Sequence, residues 1–142
     1  MVAKGEVIDK TNKKSEPAAV VLTLREVKEI LGCEVLVGKE QLGMEIWGAC
    51  AADLMSDVLA FSVPDSLLLT GLVNAQSVRT ADVAEIKALV YIRGKRPNAG
   101  ALQLAREKGI PVLASELAMY EACGRLYLRG LKSAATIRSK NE

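Results

Sequence analysis

Three short aliphatic runs, each closed by a glycine or polar turn and followed by a helical pattern, constrain this chain more than any other feature. Leu67-Leu68-Leu69 ends at Thr70-Gly71, and Ala88 to Ile92 (ALVYI) ends in the basic turn Arg93-Gly94-Lys95-Arg96-Pro97. Ile110 to Ala114 (IPVLA) ends at Ser115. Runs this short and continuously apolar read as strands covered on both faces, which is the habit of parallel sheets. Helical patterns alternate with them. One covers Thr80 to Lys87 and starts near Ser77; one runs from Asn98 as N-cap to Lys108, with Gly109 as C-cap; the last is capped by Ser115 and reaches about Leu131. Strand–helix alternation at this length predicts a parallel sheet with right-handed crossovers.

Upstream, Thr23 followed by Glu26 has the form of a capping box. Leu24, Val27, Ile30 and Leu31 recur at helical spacing, so a helix is expected over 23–31, ended by Gly32. Val35 to Val37 reads as a short strand stopped by Gly38. Residues 44–51 (MEIWGACA) read as another strand, and Asp53 to Phe61 as a helix with Leu54, Val58, Leu59 and Phe61 on one side. The expected fold class is α/β, three-layered, with a mostly parallel sheet of about five strands and flanking helices. The expected organisation is a flexible polar leader over 1–17, one domain over 18–131 and a polar tail over 132–142.

Composition excludes several kinds of chemistry. The sequence has no histidine, which removes histidine triads, histidine-ligated metals and the usual neutral-pH proton shuttle. Nineteen basic against 17 acidic residues leave a net charge of +2, too balanced to draw nucleic acid or an anionic membrane by bulk attraction. Cys33, Cys50 and Cys123 are widely spaced and form no CxxC pair, so buried free thiols in a reducing compartment are expected. Met1 to Glu16 is polar with no apolar h-region after it, and no apolar run is long enough for a membrane span. The expectation is a cytoplasmic protein.

In an open parallel sheet, ligands collect outside the carboxyl ends of the strands. Those ends carry Thr70, Gly71, Asn74 and Gln76 after one strand, Arg93 and Gly94 after the next, and Ser115 after the third. The 44–51 strand leads into Asp53, Ser56 and Asp57. If the strands are neighbours, these ten residues share one rim, with amides and cations suited to an anion. Residue by residue, the same set also serves as ordinary turn and cap chemistry. Asp53 and Asp57, four apart, fit either a hydrated cation or a helix-terminal cap plus a solvated charge, and the helix expected to begin there favours the cap. P-loop, GxGxxG and GxSxG motifs are absent, so no catalytic residue, metal or cofactor is assigned. Met55 and Met119 read as core fillers, and Trp47 as packing or an interface anchor. Arg125, Arg129, Lys132, Arg138 and Lys140 read as the basic end of a helix rather than a nucleic-acid surface.

The stretch LLLTGLVNAQ…ALVYIRGKRPNAGALQLAREKGIPVLAS, with VLVGKEQLGMEIWGACAADLMSDVLAF before it, resembles the DRTGG domain. That domain occurs alone, in the middle of long phosphotransacetylases and between CBS modules of regulatory pyrophosphatases, and is similar in fold to the N-terminal domain of HPr kinase/phosphorylase. The resemblance covers about residues 20–131. It implies a non-catalytic regulatory module that associates as a homodimer, and the convergence of Thr70, Asn74, Gln76, Arg93 and Ser115 on the rim adds a nucleotide or phosphorylated metabolite as the expected ligand. A protein-interaction subunit of a larger metabolic enzyme complex is the alternative, and a metal-dependent phosphotransfer enzyme using Asp53 and Asp57 is a third reading. Two departures stand out. Many members carry Gly-Asp-Arg after the first apolar strand, where this chain has Gly71-Leu72-Val73. Their Thr-Gly-Gly signature appears here as Ile92-Arg93-Gly94, with Pro97 following.

Overall fold

A computed structural model describes residues 7–8, 14–15 and 20–135. Most of the expected leader lies outside the described residues. Within it, β1 (Val7–Ile8) pairs antiparallel with β2 (Lys14–Ser15).

The first helix forms as its sequence dictates. After β3 (Leu22–Thr23), α1 (Leu24–Leu31) opens on a full capping box: Thr23 Oγ1 accepts from the Glu26 amide and the Glu26 carboxylate accepts from the Thr23 amide. Gly32, in the left-handed region, closes it. Next come β4 (Glu34–Val37), a 3-10 turn (Lys39–Gln41), β5 (Glu45–Ile46) and β6 (Gly48–Ala51). The expected single strand over 44–51 is therefore two. β5 pairs antiparallel with β3, while β6 enters the main sheet, and Trp47 lies at the break, 36% exposed.

The body of the domain is the predicted alternation: α2 (Met55–Phe61), β7 (Leu67–Thr70), α3 (Ala75–Val83), β8 (Ala88–Tyr91), α4 (Ala99–Lys108), β9 (Val112–Ala114), α5 (Met119–Leu128) and β10 (Lys132–Ser133). The main sheet has six strands in the order β10-β6-β7-β8-β9-β4, all parallel except β4, which pairs antiparallel with β9. Three successive crossovers in one direction place α2, α3 and α4 on one face. That leaves the other face to α1 and α5, so the domain has three layers. Every residue of β7 and β8 is buried, which is why they read as unbroken apolar runs.

Three boundaries differ from expectation. α3 starts at Ala75 rather than near Ser77, because Asn74 Oδ1 accepts from the Gln76 and Ser77 amides and caps the helix earlier; it ends at Val83, and Glu85 turns out with φ 60°. Ser115 does not cap α5: its hydroxyl donates to the Leu31 carbonyl, and the helix starts four residues later and ends at Leu128. The sixth strand, β10, lies where a polar tail was expected. Lys132 and Ser133 are exposed, and only their pairing with Gly48 and Ala49 makes them a strand. Among the described residues no helix is long and apolar enough to cross a membrane.

Candidate functional site at the strand ends

Because β6, β7, β8 and β9 are parallel neighbours, their carboxyl ends share one edge of the sheet. The innermost cluster on that edge joins three strand ends. Asp53, two residues beyond β6, reaches across to the end of β7. Its Oδ1 accepts from the Gly71 amide at 2.7 Å and from the Thr70 hydroxyl at 3.3 Å. Arg93, just beyond β8, places Nη2 3.7 Å from Asp53 Oδ2. Asp53 is thus not the cap of α2. Leu54 holds that position with no side-chain cap, and the carboxylate is committed to β7 instead.

Two backbone features make this geometry. A Cβ on Gly71 would displace the Arg93 guanidinium from its place and lie 3.3 Å from Asp53 Oδ1, so the glycine leaves room for both groups to close over this strand end. Arg93 and Gly94 both have positive φ, 60° and 67°, and the Lys95 amide donates to the Ile92 carbonyl, a tight turn of the I′ type. The Arg93 amide donates to Leu117 O and the Gly94 amide to Ser115 O, fixing the turn to the end of β9. A positive φ at a non-glycine residue is costly, and these two bonds hold it.

The other candidates divide. Ser115 is buried and spent on structure, accepting from the Leu117 amide as well as donating to Leu31. Asn74 is spent as the α3 cap, and Gln76 is exposed in the first turn. Ser56 and Asp57 are exposed on α2, one turn away from the cluster, and Asp57 lines a cleft instead. Asp53 and Asp57 therefore point to different uses, and among the described residues no group of three potential metal ligands forms. Sequence reading missed Glu116, whose carboxylate lies against Gly94. Its only signal was its place directly after Ser115.

Two apolar clefts lie at the β6–β10 end of the sheet rather than over this cluster. One, of about 460 Å³, runs between α5 and the strands and is lined by Ala49, Cys50, Tyr120, Cys123 and Tyr127. The other, of about 380 Å³, lies against α2 beside Cys50, Val58 and Phe61. Burial pushes the thiols of Cys50 and Cys123 upward, so neither is poised as a thiolate at neutral pH.

No family model matches the sequence, and no curated protein does. Among solved structures, the chain is similar to the CBS and DRTGG domains of the regulatory region of Clostridium perfringens pyrophosphatase, complexed with the activator diadenosine tetraphosphate. The TM-score is 0.62 at 16% identity, over 80% of this chain and 50% of that one. The chain has a DRTGG-like fold. It spans half the length of that regulatory region. In this DRTGG-like domain, Leu72 and Val73 occupy the positions where the resemblance leads one to expect Asp and Arg, and both pack half-buried against the α2–α4 face. The charges at this strand end come instead from Asp53 and Arg93, 40 residues apart in the chain.

Proposed function

We propose that this DRTGG-like domain is a non-catalytic regulatory module that binds an anionic small molecule, a nucleotide or phosphorylated metabolite, at the strand-end rim and works as a homodimer. The observation that carries the proposal is the contact cluster of Asp53, Thr70, Gly71 and Arg93, which brings donors from two strand ends onto one carboxylate. The pyrophosphatase regulatory region, complexed with a nucleotide activator, supports the ligand class. Arg93 supplies the cation, and the amide and hydroxyl of the β7 end supply neutral donors. The absence of histidine from the sequence and the upward-shifted thiols favour binding over turnover.

The dimer rests on a second feature. Phe61 of α2 and Tyr120 and Tyr127 of α5 are exposed and line the clefts at the β6–β10 end of the sheet, and Leu54, Leu59 and Leu128 are exposed as well. Tyr120 is 92% and Tyr127 71% exposed, and exposed apolar side chains gathered beside apolar clefts suit a protein contact. The same surface suits the alternative reading, a subunit held by a different protein.

Thermal unfolding with ATP and with phosphorylated metabolites tests the first part. A ligand at about a hundredfold excess over Kd stabilises the native state by about 2.7 kcal/mol. Arg93→Ala should remove that shift. If no member of either class raises the melting temperature, the rim is structural only. Sedimentation at micromolar concentration tests the second part: a dimer that Tyr127→Glu dissociates supports it, and a monomer throughout favours the subunit reading.

A further inference from the structure

The cluster at the β7 end is a complete anion cradle that already holds an anion, its own. Gly71 N–H and Thr70 O–H converge on one oxygen of the Asp53 carboxylate, and the Arg93 guanidinium faces the other. The cradle groups are held in place: Thr70 and Gly71 are buried, and the Arg93 turn is pinned to the end of β9 by two backbone bonds. The occupant is held much less firmly. The Asp53 side chain is 52% exposed and the Arg93 side chain 43% exposed, and their charged atoms stand 3.7 Å apart. An ion pair this open and this long contributes little, so the carboxylate is kept mainly by the Gly71 amide.

From this we infer that Asp53 is a tethered competitor: its carboxylate stands in the place of a phosphate or carboxylate group of the ligand, which binds Gly71 N–H, Thr70 O–H and Arg93 when Asp53 swings out. The inference rests on the rim reading and says how the rim is regulated. Two anions cannot share the cradle, since like charges a few ångströms apart repel strongly in a partly buried site. Ligand entry and Asp53 release are therefore one event. Asp53 lies two residues before α2, whose Leu59 and Phe61 are exposed. Release therefore removes the side-chain ties between the start of α2 and β7, leaving the Ala52 amide bonded to the Leu69 carbonyl, and this couples an occupied rim to the lead-in of α2.

The test uses the whole chain with inorganic phosphate and ATP as probes, read by calorimetry and by the Gly71 amide resonance. The apparent Kd of a site scales inversely with the fraction of molecules in the competent state. With the open state at about a tenth of the population, Asp53→Ala should tighten phosphate and ATP by about tenfold. The Gly71 amide should then move at phosphate concentrations that leave it in place in the parent. Adding Arg93→Gln to Asp53→Ala should abolish the gain. Asp53→Asn, which keeps the side-chain shape and an acceptor for Gly71, should show the same direction with a smaller gain, and serves if the alanine variant does not fold. Equal affinity of ATP for parent and both Asp53 variants overturns the competitor and leaves the rim reading standing. No binding of either probe to any form, with Gly71 unmoved, overturns both.

Discussion

Raising the pH should destabilise this domain through Cys33, and the effect can be isolated. Cys33 follows the α1 cap, is 9% exposed and packs in the core beneath α1 and α5. Burial pushes its thiol from 9.0 up to about 12, against a smaller opposing pull from Lys28. A folded-state value above the unfolded one means that the native state holds the proton longer. The stabilisation is then whole below about pH 9 and is lost as the pH rises towards 12. At about 1.4 kcal/mol per unit, the full window is worth about 4 kcal/mol, and about half of it is gone near pH 10.5. Urea unfolding of the parent and of Cys33→Ala, both under reducing conditions, at about pH 7.5 and 10.5 measures it. The alanine variant carries a constant packing loss at both pH values, whereas the other thiols and tyrosines titrate alike in both proteins. The expected result is that the parent loses about 2 kcal/mol more than the variant between the two pH values, moving its urea midpoint by about 1 M relative to the variant's. Parallel losses in the two proteins would refute the reasoning, because they would mean that the Cys33 thiolate is no worse off folded than unfolded.

Two further outcomes follow from single contacts. The Ser77 hydroxyl donates to Asn74 O and lies 2.7 Å from the Tyr91 hydroxyl, so its one proton is used and Tyr91 is the donor between them. Tyr91→Phe should cost about 1 kcal/mol in chemical denaturation, and the double variant with Ser77→Ala should cost less than the sum of the two single variants, because both remove the Ser77–Tyr91 bond while only Ser77→Ala also loses the bond to Asn74 O. Thr23→Ala breaks one half of the α1 capping box. It should cost about 1 kcal/mol, with Thr23→Ser restoring most of it.

Much of the fold was legible because local chemistry and tertiary context agreed. β7, up to its last residue Thr70, and β8 are runs of buried side chains because both their faces are covered, and α1 and α4 begin and end at the caps their residues name. Legibility failed where a side chain had two partners to choose from. Asp53 stands where a helix cap belongs, yet it serves Gly71 across the sheet. Ser115 also has the form of a cap and bonds instead to Leu31, 84 residues away. β10 carries no strand pattern, since a two-residue edge strand with both side chains exposed has no apolar face to show.

The sequence by itself determined the alternation of buried strands and helices, and with it the existence of an edge where strand ends meet, because periodicity and capping are local properties. Only the tertiary structure decided which groups on that edge touch. The Asp53–Gly71–Arg93 cluster depends on β6, β7 and β8 lying side by side and on a glycine small enough for two side chains to close over it. Strand order and close approach are set by the packing of the whole sheet, and no stretch of residues carries them alone.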